Sequence, residues 1–187
     1  MRKTLSIAVL LCGLLAAGAH AETPRGWYFG GPAAKDFDVS TEAANGDASG
    51  RVVHIHTKSE SSGFGTLSQG IDATDYRGKR VRLSGYLRTK NAGKSMLWLR
   101  IDDAERKPIS MDNMDQRAVR GDTDRRNYAV VLDVPDSAHA LVFGVILDGR
   151  GDVWADGLKL EVVGKDVPTT TNVMAMPRTP VNMDFAN

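Results

Sequence analysis

Residues 79–102 read Lys-Arg-Val-Arg-Leu-Ser-Gly-Tyr-Leu-Arg-Thr-Lys-Asn-Ala-Gly-Lys-Ser-Met-Leu-Trp-Leu-Arg-Ile-Asp. Val81, Leu83 and Leu87 alternate with Arg82, Ser84, Tyr86 and Arg88. A period of two belongs to a strand with one face in a core and the other outside. Asn91-Ala92-Gly93-Lys94 is a turn signal. Beyond it Leu97, Leu99 and Ile101 alternate with Met96, Trp98, Arg100 and Asp102. Two alternating runs joined by a short glycine-containing turn predict a β-hairpin over 79–102.

The same reading extends outward. Residues 51–57 predict a strand with Val53 and Ile55 inward, and 64–71 a second. Residues 128–134 and 140–147 predict two more, separated by Pro135-Asp136-Ser137. A tight turn at Asp148-Gly149-Arg150-Gly151-Asp152 leads into a strand over 153–163, with Leu158, Leu160 and Val162 in alternation. Seven or more short strands without sustained helical periodicity predict an all-β, antiparallel β-sandwich of jelly-roll type. Residues 103–127 carry Asp103, Asp112, Asp115, Asp122 and Asp124 among arginines. They read as a surface excursion with one short strand near Ile109–Met114. Residues 164–187, rich in Pro and Thr at the start, read as an extended arm.

The N-terminus assigns a compartment. Arg2 and Lys3 precede an apolar run, Ser6–Ala19, and Ala19-His20-Ala21 is a small-x-small site. This is the layout of a secretory signal peptide cut after Ala21, and the run is shorter than the ~20 residues of a spanning helix. The expected division is a signal peptide at 1–21, a sandwich domain at 22–163 and an arm at 164–187, in the periplasm or secreted. The single cysteine, Cys12, leaves with the signal, so the exported domain must be held by burial alone. The chain has 24 basic and 23 acidic residues. Without Arg2 and Lys3 it has one more acid than bases and no basic stripe, which argues against nucleic acid as a partner. No second apolar run suggests a membrane span.

The stretch from Phe64 to Val163 resembles a known family. Its markers are Phe64-Gly65-Thr66-Leu67-Ser68-Gln69, Tyr76-Arg77-Gly78-Lys79, and Leu97-Trp98-Leu99-Arg100-Ile101-Asp102. Asp112-Asn113-Met114, Phe143-Gly144 and Gly151-Asp152-Val153-Trp154-Ala155-Asp156 complete them. Together they resemble the galactose-binding-like, carbohydrate-binding-module-like jelly rolls of bacteria. The nearest likeness is to those attached to exported carboxy-terminal-processing-type peptidases and to some regulatory proteins. The resemblance implies a binding module, with a concave sheet face as ligand site and Gln69, Asn113 and Arg117 on its rim. It also allows a structural Ca²⁺, although residues 103–127 lack a Ca²⁺-loop spacing; no other cofactor is implied. Two departures stand out. Gly121-Asp122-Thr123-Asp124 is followed by Arg125 where these domains often have Trp. The family's opening Asn-Leu-Asp-Phe-Glu strand is missing before Gly26-Trp27, while Asn182-Met183-Asp184-Phe185 resembles it. Val181–Phe185 is therefore expected to fold back as the missing strand with Met183 and Phe185 inward, the alternative being a free tail.

Catalytic signatures are weak. The chain has no Gly-x-Ser-x-Gly elbow, no His-Glu-x-x-His, and no cysteine beyond the signal. His54 and His56 share a strand face, read as an exposed face rather than a metal pair because no third ligand is identifiable. Arg120-Gly121-Asp122 and Arg150-Gly151-Asp152 read as turns. Trp27 and Trp154 read as core. The expected site is the polar face of the hairpin, with Arg82, Tyr86, Arg88, Trp98, Arg100 and Asp102, since aromatic and polar groups together suit sugars. The competing reading covers Trp98 with the 103–127 loop and pairs Arg100 with Asp102 structurally. The expected function is a non-catalytic module for a carbohydrate or similar polar ligand. The alternatives are a protein-interaction domain with an envelope partner, or a small hydrolase.

Overall fold

The computed structural model describes residues 23–44, 50–171, 180 and 182–184. Its strands are β1 (Tyr28–Gly30), β2 (Phe37–Ala43), β3 (Arg51–Thr57), β4 (Phe64–Asp72), β5 (Arg80–Asp102), β6 (Pro108–Asp112), β7 (Val119–Asp133), β8 (Ala140–Asp148) and β9 (Asp152–Val163). Short 3-10 turns lie at Ala34–Asp36, Thr74–Tyr76 and Asp115–Arg117.

The expected 79–102 hairpin is one continuous strand of 23 residues. A type I′ reversal needs positive φ at two consecutive positions, and only Asn91, at φ 50°, takes it within that signal, through which the strand runs on. The register instead shifts between Leu87 and Thr89, Thr89 and Ala92, and Ala92 and Ser95. Such irregularities bend a strand without reversing it. Residues 80–90 pair with β9 on one side, and the β7 partners of 80–87 lie on the other. Residues 94–102 pair with β8 on one side, and Leu99–Asp102 also pair with β6. The result is a sandwich of two antiparallel sheets sharing β5. One runs β2-β3-β9-β5-β7, here the β9 sheet; the other runs β1-β4-β8-β5-β6, here the β8 sheet.

The alternation places the core between the sheets as expected. Val81, Leu83, Leu87, Leu97, Leu99 and Ile101 are fully buried, together with Ile55, Leu141, Val145, Leu147 and Val153. Each such side chain contributes about 1.5–3 kcal/mol relative to exposure. The bend in β5 has a direct consequence. The polar alternates of its first half face outward from one sheet, and those of its second half face outward from the other.

Residues 103–127 are not an excursion throughout: they hold β6 and the start of β7. Asp103 Oδ1 accepts the N–H groups of Glu105 and Lys107 at 3.0 and 2.8 Å, closing the turn into β6. The arm is docked at Thr170. Its N–H donates to Val131 O at 3.0 Å, and its Oγ1 accepts the Val131 N–H at 2.7 Å and donates to Asp112 Oδ2 at 2.6 Å. One threonine thus bridges β7 to β6 where the two sheets part. Asn182–Asp184 do not extend as a strand. Asn182 has φ 51°, Met183 and Asp184 form a turn, and Met183 is 75% exposed rather than facing the core. Val181, Phe185 and the signal-peptide residues lie outside the described residues.

Candidate functional site

The expected site residues fall in four places. Arg82, Tyr86 and Arg88 lie on the outer face of the β9 sheet. Trp98, Arg100 and Asp102 lie on the outer face of the β8 sheet. Gln69 alternates with Ser68 and so faces between the sheets, where its Nε2 donates to Gly26 O at 3.2 Å. Asn113 and Arg117 sit at the seam, with Arg117 Nη2 2.7 Å from Asp112 Oδ2. The bend in β5 separates the first two groups, which a hairpin would have kept together.

The outer face of the β9 sheet is a self-satisfied polar network. Trp154 stands between strands β3 and β5 and is not core. His54 stacks on it at 4.3 Å and 12°, and the Arg88 guanidinium lies 3.8 Å from its ring centroid. His54 Nδ1 is 2.9 Å from Glu42 Oε1 and Nε2 is 2.8 Å from Asp152 Oδ1. Arg125 stacks on Tyr86 at 3.6 Å and donates to both carboxylate oxygens of Asp156, which is 5% exposed. Arg82 donates to Glu161 at 3.0 and 2.7 Å. The aromatic faces here are already stacked, so this face is poorly suited to take a ring from a ligand.

The outer face of the β8 sheet is different. Register places Tyr28, Ser68, Gly144 and Trp98 in one row across β1, β4, β8 and β5. Next to it run Gly70, Val142 and Arg100, and then Asp72, Ala140 and Asp102. Trp98 is only 7% exposed, and its indole reaches past β8 to donate from Nε1 to Thr66 Oγ1 on β4 at 3.0 Å. Trp98 is therefore a supporting group, while Tyr28, 79% exposed, presents a free ring. Arg100 donates twice to Asp102 at 2.8 Å, the ion pair that the competing reading required. Asp72, Arg100, Asp102, Arg106, His139 and Val142 line a depression of about 450 Å³ beside Gly70. The Asp72 carboxyl is held below its usual range by hydrogen bonds from Thr74.

The glycines of this face do not all have the same cause. A Cβ on Gly144 would sit 2.0 Å from Leu67 O, so the backbone of β4 demands glycine there. A Cβ on Gly70 would meet nothing closer than 3.9 Å, and one on Gly30 nothing within 4 Å. Neither residue has positive φ. These two glycines cost strand stability without a steric reason, and what they leave is open floor. Sequence reasoning missed Tyr28, Gly30 and Gly70. The available signal was glycine at the outward positions of alternating strands. It also missed His54, Trp154 and Arg125 as a cluster, although Val153 and Ala155 facing inward oblige Trp154 to face out.

No protein-family profile matches the chain. The Uncharacterized HTH-type transcriptional regulator YbfP of Bacillus subtilis (strain 168) is 36% identical over 169 residues, 86% of this chain. The chain spans 56% of that relative's length. Among solved structures, the xylan-binding CBM22-1 domain of Paenibacillus barcinonensis Xyn10C aligns with a TM-score of 0.53 at 14% identity, over 75% of this chain and 88% of that one. The C-terminal family 22 carbohydrate-binding module of Clostridium thermocellum Xyn10B aligns at 0.54 and 13%, over 78% and 90%. The enzymatically active domain of bacteriophage CBA120 tailspike protein 4 aligns at 0.60 and 13%, over 74% and 20%. The fold is the β-sandwich of carbohydrate-binding modules.

Proposed function

We propose that the chain is an exported, non-catalytic module that binds a glycan on the outer face of the β8 sheet. The observation that carries this reading is the pair of sterically unneeded glycines, Gly30 and Gly70, beside the exposed ring of Tyr28. An open floor flanked by an aromatic ring and hydrogen-bonding side chains suits a sugar, whose C–H face stacks while its hydroxyls pair. Tyr28 is the stacking platform. Ser68, Asp72, Arg100 and His139 supply polar contacts, and Trp98 and Asp102 hold the floor and Arg100 in place. The xylan-binding name of a neighbour with this fold supports the substrate class. The test is a glycan array probed with the exported protein, followed by titration of any hit against Tyr28→Ala and Gly70→Leu. Specific binding lost in both variants, with melting unchanged, supports the site. A clean array sinks the reading.

A second reading concerns the regulator. A helix-turn-helix is built from α-helices, and the described residues contain strands and 3-10 turns but no α-helix. The stretch shared with YbfP is thus a poor candidate for its DNA-binding part, and we read it there as a ligand-sensing module. The same fold would then serve capture in one protein and sensing in the other. The experiment is whether a glycan that binds this chain also binds the matching segment of that regulator.

A further inference from the structure

The depression on the outer face of the β8 sheet is rich in charge, and all but one of its charged groups have a partner within the protein. Arg100 and Asp102 hold each other through two hydrogen bonds of 2.8 Å. Asp103 accepts two backbone N–H groups through Oδ1. Asp72 accepts the Thr74 N–H at 2.7 Å and interacts electrostatically with His139 and Arg77. Arg106 lines the same depression and is exposed. Its guanidinium has no hydrogen bond or ion pair among the described residues.

Arginine is also a costly choice at this position. The turn joining β5 to β6 closes through the Asp103 N–H on Lys107 O at 3.0 Å and the Arg106 N–H on Asp103 O at 3.1 Å. Arg106 there takes φ 64°, a left-handed conformation that glycine fills freely and that a side chain with a Cβ strains. Gly30 and Gly70 are glycines that neither φ nor contact requires; at 106 the backbone favours glycine and the chain carries a cation.

The strands set where this cation acts. Tyr28 lies opposite Ser68, and Asp72 is four residues further along β4, about 13 Å at the rise of a strand. A sugar ring stacked on Tyr28 therefore leaves the depression to a unit further along the same glycan. Asp72 stands across β8 from Asp102, whose charge Arg100 balances, so an anion is left the β5–β6 side of the depression.

We infer, on the reading that this face binds a glycan, that the glycan carries an anionic group, a carboxylate or a sulfate, and that Arg106 selects it. A planar guanidinium pairs with either group through parallel N–H···O bonds.

The experiment measures, by titration calorimetry, the affinity of the full chain for matched pairs of glycans. The pairs are xylo-oligosaccharides with and without a glucuronate branch, oligogalacturonate with and without its carboxyls reduced to alcohols, and dextran oligomers with and without sulfate. The expected result is that the acidic member of at least one pair binds at least about fivefold tighter, with the difference shrinking as NaCl is raised. A difference in the first two pairs alone identifies a carboxylate, and in the last alone a sulfate. Arg106→Gln should reduce the difference to less than about twofold and leave the affinity for the neutral member unchanged. Arg106→Gly, which suits the backbone, should do the same and melt no lower than the parent. Equal affinity for acidic and neutral members, or a preference that survives both variants, overturns the inference and leaves the glycan site standing. Binding of neither member of any pair overturns the glycan reading with it.

Discussion

The imidazole of His54 lies flat against the indole of Trp154, 4.3 Å away and 12° from parallel, with each ring nitrogen within 2.9 Å of a carboxylate oxygen. Glu42 on β2 and Asp152 on β9 hold the two nitrogens, so one side chain joins three strands. Both contacts are hydrogen bonds only when both nitrogens carry hydrogen. Arg88 covers the other neighbour side of the same indole.

Trp154→Ala should therefore act on stability and not on ligand capture. Removing a half-buried indole on which His54 and the Arg88 guanidinium pack should cost about 2–3 kcal/mol, read as a lower urea midpoint. Glycan affinity should be unchanged, since the proposed site is on the opposite sheet. Lost affinity in a fully folded Trp154→Ala protein would move the site to the β9 sheet.

Gly70→Leu makes the converse prediction. The position has room and an ordinary φ, and replacing glycine restricts the unfolded chain. The melting temperature should stay within about 2 °C of the parent or rise. Glycan binding should fall at least about tenfold because the new side chain occupies the floor. Isothermal titration and calorimetry on the same sample check both halves.

Thr170→Val tests the arm. The valine keeps the volume but leaves the Val131 N–H without its acceptor and Asp112 without one donor. An unsatisfied, partly buried group of this kind costs about 1–2 kcal/mol. The variant should also be cleaved faster by protease between residues 164 and 171, as seen by mass spectrometry. An unchanged cleavage rate would mean that the bridge at the seam is not what holds the arm.

The acid limb of stability follows from four carboxyls held below their usual range. Asp133 is held by Arg80 and Lys165, Glu161 by Lys159 and Arg82, Asp115 by Lys94, and Asp72 by Thr74. Their folded pKa values lie below the unfolded ones, so on acidification the unfolded chain takes up these protons first. The stabilisation is complete above about pH 4 and is lost progressively below it. The melting temperature should be level near neutrality and fall below pH 4. Asp133→Asn should make that fall shallower, and an unaltered slope would exclude Asp133 as a contributor.

The period of two in the sequence located most strands within a few residues, because alternation reports which side chains must be buried. β1 and β2 were missed. β1 is three residues long, and β2 mixes Asp38, Ser40 and Thr41 with its two core residues, Phe37 and Val39. The hairpin failed because Asn91-Ala92-Gly93-Lys94 has turn composition, yet β8 and β9 offer partners on both sides of it. Tertiary pairing then outweighs the local signal. That one error scattered the expected site. Arg82, Tyr86 and Arg88 were assigned to the same face as Trp98, Arg100 and Asp102, although each alternation was read correctly. Trp98 was legible as important but not as buried, since its hydrogen bond to Thr66 depends on which strands lie two places apart.

A strand that serves both layers also constrains how the molecule comes apart. β5 lies between partners in each sheet, so neither sheet can shed it without exposing the interior of the other. Independent fraying of one layer is therefore suppressed, and opening becomes a single cooperative event. The slowest-exchanging amides of β8 and of β9, although they sit in different sheets, should report one common opening free energy. The closures joining these distant segments must also be made before either layer is complete, which places this chain among slowly folding, high-contact-order domains.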